Sequence, residues 1–89
     1  MLVLPAELTH DEAMPALHML LQGLAVHKGP VLVDAGALQR FDSSALAVLL
    51  QCRREALSQG RGFTVRGMPE RLRALARLYG VDQLLPAAL

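Results

Sequence analysis

Apolar positions along the chain fall into short continuous runs that alternate with longer stretches spaced three or four residues apart. Leu2-Val3-Leu4 is the first short run, ended by Pro5, and it predicts a strand. Ala13, Leu17, Leu20, Leu21 and Leu24 then share one helical face. Thr9 and Glu12 have capping-box spacing, which starts this helix near residues 9–11. Pro15 offers a second start near Met14, because proline suits a first helical turn. Gly29-Pro30 stops the element. Val31-Leu32-Val33, closed by Asp34, is apolar without alternation, the pattern of a strand covered on both faces. Residues 35–41 read as a loop. Asp42 or Ser43 then caps a second helix, apolar from Ala45 to Leu50 and largely polar from Gln51 to Gln59. Gly60 ends it, since glycine tolerates the left-handed turn that closes a helix. Phe63 and Val65 alternate with Thr64 and Arg66, as in a strand with one solvated face. Pro69 opens a third helix, whose buried stripe is Leu72, Leu75, Ala76 and Tyr79. Gly80 ends that helix, and Leu84 and Leu85 anchor a final turn.

Strands are therefore expected near residues 2–4, 31–34 and 63–66, and helices near 11–27, 43–59 and 69–79. Strands alternating with helices imply crossover connections, each right-handed, and a mainly parallel sheet. The predicted fold class is α/β: one small domain over residues 1–89, with a mainly parallel or mixed sheet of three to four strands covered by helices.

Composition sharpens this picture in three respects. The chain of 89 residues is 53% apolar and 19% charged, which excludes disorder and leaves room for one modest core. Phe41, Phe63 and Tyr79 are its only aromatic residues, so Leu, Val and Ala must fill that core, and part of the apolar surplus is available to a partner. The net charge of +1 gives no electrostatic case for DNA or an acidic membrane as partner. Cys52, the only cysteine, can form no internal disulfide and suits a reducing compartment. Pro5 and Glu7 interrupt the apolar start, which lacks a basic leader. The longest apolar run, Ala45 to Leu50, is far short of the roughly 20 residues that span a bilayer. A soluble, cytoplasmic protein without direct membrane insertion is expected.

The segment richest in possible chemistry is Asp42-Ser43-Ser44, set directly before the apolar helix. A hydroxyl there lies near free backbone N–H groups and the positive end of the helix dipole, a place suited to a phosphate or another acceptor-rich group. An ordinary N-cap has the same composition. Elsewhere the signals are weaker. His10, His18 and His27 lack metal-ligand spacing, so no metal is expected. Cys52 fits a packing role in its helix. Arg66, Arg71, Arg73 and Arg77 have no stacking aromatics with them and read as solvated surface residues. Gly60-Arg61-Gly62 is too short to cradle a phosphate and lacks a P-loop lysine. No nucleophile, base and orienting group can be assembled from the spacing, so neither catalysis nor a cofactor is expected.

The stretch from Asp42 to Leu50 resembles the signature of STAS domains, the fold of anti-sigma-factor antagonists. There an aspartate, then a serine or threonine, then small and apolar residues open the second helix. Glu7-Leu8-Thr9 resembles the family's Glu-Leu-Asp/Thr, Val31 to Asp34 its central strand, and Phe63 to Gly67 its third. The resemblance covers nearly the whole chain. Pro15, Leu75-Ala76-Arg77-Leu78-Tyr79 and Leu84-Leu85-Pro86 are similar to the small STAS subunit of Mla-type phospholipid-transport ABC complexes. That implies a non-enzymatic accessory subunit that binds and regulates the ATPase at the inner face of the inner membrane. The alternative is an anti-sigma-factor antagonist switched by phosphorylation of Ser43, with an anti-sigma-factor kinase as partner. Either way the implied partner-binding and regulatory residues are Asp42, Ser43, Ser44 and Leu46, with Ser43 central and Ser44 turned inward as the cap. Two positions depart from the pattern: Ser43 stands where the Mla type usually has threonine, and Ala45 where both types have glycine. Many members also carry an extra edge strand before the first core strand, so that strand is either lost here or its sheet edge is exposed.

Overall fold

The computed structural model describes residues 1–88; Leu89, the last residue of the expected single domain, lies outside the described residues. In chain order the elements are β1 (Leu2–Val3), β2 (Glu7–Leu8), α1 (His10–Val26), β3 (Val31–Asp34), β4 (Arg40–Phe41), α2 (Ser44–Ser58), β5 (Phe63–Arg66), α3 (Glu70–Leu78) and a 3-10 turn at Asp82–Leu84. The expected α/β class and all three helices are present, each helix within a residue or so of its predicted bounds.

The main sheet is parallel, with strand order β1-β3-β5. Leu2 lies opposite Val33, and Val33 opposite Val65, so these three share a face with Val31 and Phe63. Leu20 and Leu24 of α1, Val48 and Leu49 of α2, and Leu72 and Ala76 of α3 close over that face in one apolar cluster. The opposite face carries Val3, Leu32, Thr64, Asp34 and Arg66, and Val3 is 52% exposed. β3 therefore buries Val31 and Val33 and only half-buries Leu32. This corrects the expectation of a strand covered on both faces: the helices meet one face of the sheet, and the apolar run needed only its alternate residues inside. β1 forms one edge of the sheet. Along the outer edge of β5, the Val65 N–H donates to the Pro86 carbonyl at 2.9 Å and the Ala88 N–H to the Val65 carbonyl at 2.9 Å.

Residues 35–41 are not all loop. Arg40 and Phe41 pair in parallel with Glu7 and Leu8, forming a separate two-stranded ribbon. Two residues are too few to carry a strand periodicity, which is why the pattern passed over both strands.

Of the two possible starts for α1, the capping box prevails. The Thr9 N–H donates to Glu12 Oε1 at 2.9 Å and the Thr9 hydroxyl to the same oxygen at 2.7 Å. Pro15 consequently lies inside the helix, at the cost of one intrahelical hydrogen bond. At the end of α3, Tyr79 is 59% exposed and not part of the buried stripe. The helix stops at Leu78, so the spacing of the stripe carries Tyr79 one residue past the helix end. Gly67 is required by its turn: its φ is +70° and an added Cβ would meet the Gly36 backbone at 3.1 Å.

Candidate partner-docking site

β2 leads directly into α1 and β4 directly into α2, and the two strands are parallel neighbours. The ribbon thus delivers both helix N-termini to one place. Asp42 sits at this junction, immediately after β4. Its Oδ1 accepts the Ser44 N–H at 2.8 Å and its Oδ2 accepts the His10 N–H at 3.1 Å. The cap of α2 is therefore the Asp42 carboxylate, not the Ser44 hydroxyl. An aspartate two residues upstream presents an ionised acceptor to the free amides, which Ser44 from within the helix does not. The Ser44 amide first, and then the His10 amide, hold the Asp42 carboxyl below the ordinary aspartate range.

Ser43 follows in helical conformation, with φ −62° and ψ −15°, and its side chain makes no capping bond. Its carbonyl accepts the Leu46 and Ala47 amides, at 3.1 and 3.3 Å. The residue is exposed at the rim of an open groove of about 280 Å³, lined further by Leu46, Ala47, Leu50, Tyr79 and Val81. Leu46 is almost wholly buried yet forms part of the groove wall. The four residues expected to act together are thus contiguous in space but have different parts. Ser43 presents a hydroxyl, Asp42 holds the helix start, Ser44 supplies the capped amide, and Leu46 gives an apolar lining.

Sequence reasoning missed Tyr79 and Val81 as lining residues. The spacing of Tyr79 continues the stripe of α3 and so points to the core. The glycine at position 80 was the available signal, since a helix closing there turns its last side chain aside. Phe41, half-buried beside Asp42, carries the Arg71 guanidinium over its ring at 5.2 Å from the centroid, which ties α3 to the ribbon. Cys52 is fully buried, and burial pushes its thiol up to about 11, so it packs rather than reacts.

The junction thus offers an exposed hydroxyl on a helix start, bordered by an apolar groove and backed by a fixed carboxylate. Residues 1–86 match the family described as Mlab, STAS domain. The chain belongs to the STAS family. It is also 31% identical over 80 residues to the intermembrane phospholipid transport system binding protein MlaB of Escherichia coli strain K12, covering 90% of this chain and 79% of that protein. The protein of the same name from Shigella flexneri matches to the same extent. In this STAS chain Asp42-Ser43-Ser44 opens the second helix, and the groove lies beside it. No helix among the described residues is long and apolar enough to cross a membrane.

Proposed function

We propose that this STAS protein is a non-enzymatic accessory subunit that docks onto the ATPase of a phospholipid-transporting ABC system, regulates it, and is held at the membrane through that partner. The observation that carries the reading is the exposed Ser43 hydroxyl at the rim of the groove formed by Leu46, Ala47, Leu50, Tyr79 and Val81. An apolar floor gives a docked side chain area to bury, while the hydroxyl and the start of α2 give it a polar register. The names of the two MlaB relatives, which describe a binding protein of a phospholipid transport system, support a component of such a system as the partner, and the ATPase is the component that the resemblance implies. Hydrolysis of ATP belongs to the partner in this reading. Co-purification of the tagged protein from its native cells tests it: an ABC ATPase should be recovered, and a variant with a blocked groove should lose it.

A second reading is favoured by one feature. Ser43 is exposed at a helix N-terminus with its hydroxyl uncommitted to a cap, which suits a kinase substrate. The protein would then be an anti-sigma-factor antagonist switched by phosphorylation. Recovery of an anti-sigma-factor kinase without any ABC ATPase, together with phosphate on Ser43 by mass spectrometry of native protein, would replace the first reading by the second.

A further inference from the structure

The parallel ribbon gives Asp42 two helices to serve. Each N-terminus carries unpaired amides and the positive end of a dipole, so two of them side by side repel unless an anion stands between. The Asp42 carboxylate stands there, with one oxygen on the Ser44 amide of α2 and the other on the His10 amide of α1. The Thr9 amide is already taken by Glu12. The link between His10 and Asp42 spans 32 residues of sequence, so it is a tertiary contact and not a local cap.

We propose that Asp42 is a positioning residue: by holding both helix N-termini on one carboxylate, it fixes Ser43 relative to α1 and makes the two helix starts a single partner-facing unit. The role rests on the docking function proposed above, but the bridge is a property of the isolated chain. The charged groups that act on the carboxylate are His10 and Glu12 on α1, while Arg40 of β4 acts on Glu12 and approaches Glu7 of β2 at 3.7 Å. Asparagine has the same shape as aspartate but one acceptor oxygen, and its NH₂ would face an amide N–H. Asp42→Asn can therefore serve one helix start and must abandon the other.

The experiment combines amide NMR of the full chain with partner capture. On acidification the His10 and Ser44 amide protons should shift together, with one midpoint below the ordinary aspartate value, and Asp42→Asn should abolish that shared titration. The same variant should remain folded and bind the captured ATPase about tenfold more weakly, because Ser43 is no longer held in place against α1 before docking. Ser43→Ala leaves the bridge in place, so it should keep the shared titration. Independent midpoints for His10 and Ser44, or full affinity in Asp42→Asn, would overturn the positioning role. If the unsubstituted protein captures no ABC ATPase, the docking reading fails and takes the positioning role with it. Intact capture without a shared titration overturns the positioning role alone.

Discussion

Ser43 offers the sharpest test at the scale of single residues, because its side chain is exposed and uncommitted to a cap. Ser43→Glu puts a second carboxylate next to Asp42 at the start of α2. The helix dipole favours an anion there by about 0.3–1 kcal/mol, offset by repulsion from Asp42, so the fold should hold. A docked partner would have to desolvate that charge, so binding should weaken by about tenfold or more while thermal unfolding is unchanged. A pull-down alongside a melting curve checks both halves. Tyr79→Ala separates surface from core in the same way. The tyrosine is 59% exposed, so unfolding stability should move by about 0.5 kcal/mol or less, whereas partner affinity should fall, since an aromatic at a groove rim is a typical anchor. The positions of Asp42, Ser43, Ser44 and Leu46 at the start of an apolar helix were legible in the sequence, because a polar cluster before an apolar run is a local pattern. Tyr79 was not, because its neighbour in space, Leu50, lies far from it in sequence and its own spacing pointed to the core.

At the scale of elements, α1 is held at both ends by different means. The capping box fixes its start. Its end relies on Arg61, whose Nη1 donates to the Leu24 carbonyl at 2.8 Å and whose Nε donates to the Gly29 carbonyl at 2.7 Å. Gln59 orients the same guanidinium through a 3.1 Å bond. These contacts join the turn after α2 to the turn after α1, across the end of the sheet where β3 and β5 begin. Arg61→Ala leaves the Leu24 carbonyl in the last turn of α1 and the Gly29 carbonyl beyond it without a charged donor, and should destabilise the fold by about 1–3 kcal/mol, measured by urea unfolding. Arg61→Lys should recover only part of this, because an ammonium lacks the fork that reaches two carbonyls. The sequence marked Gly60-Arg61-Gly62 only as too short for phosphate; its arginine has a structural task that no local spacing reveals. The three long helices and three main strands were legible because each spans enough residues to display its period. β2 and β4 were not, although the caps that follow them, Thr9 and Asp42, pointed to where each strand ends.

For the molecule as a whole, the core is one apolar cluster roofing one face of a small sheet, with no buried charge among the described residues. Its pH limits are consequently set by carboxylates at the helix and strand ends and by a single buried thiol. Glu12 is lowered by the Thr9 hydroxyl and amide, Asp34 by the Gly36 amide and then Arg66, and Asp42 by the Ser44 amide. Each therefore binds its proton less readily folded than unfolded. Their contribution is complete above the unfolded values of about 4 and is lost as pH falls through the folded ones. Cys52 acts with the opposite sense. Burial raises its thiol to about 11, so the folded state resists ionisation that the unfolded chain accepts from about 8.5 upward. Stability should then be flat around neutrality, fall in acid below about pH 4, and fall again between the unfolded and folded thiol values. Urea midpoints measured across this range would trace both limbs. Cys52→Ala should lower the whole curve through its lost packing but remove the alkaline limb up to the folded thiol value. If that limb persists unchanged in the variant, another group governs alkaline unfolding. Asp42→Asn should instead flatten part of the acid limb and leave the alkaline one intact, which separates the junction of the two helix starts from the core beneath it.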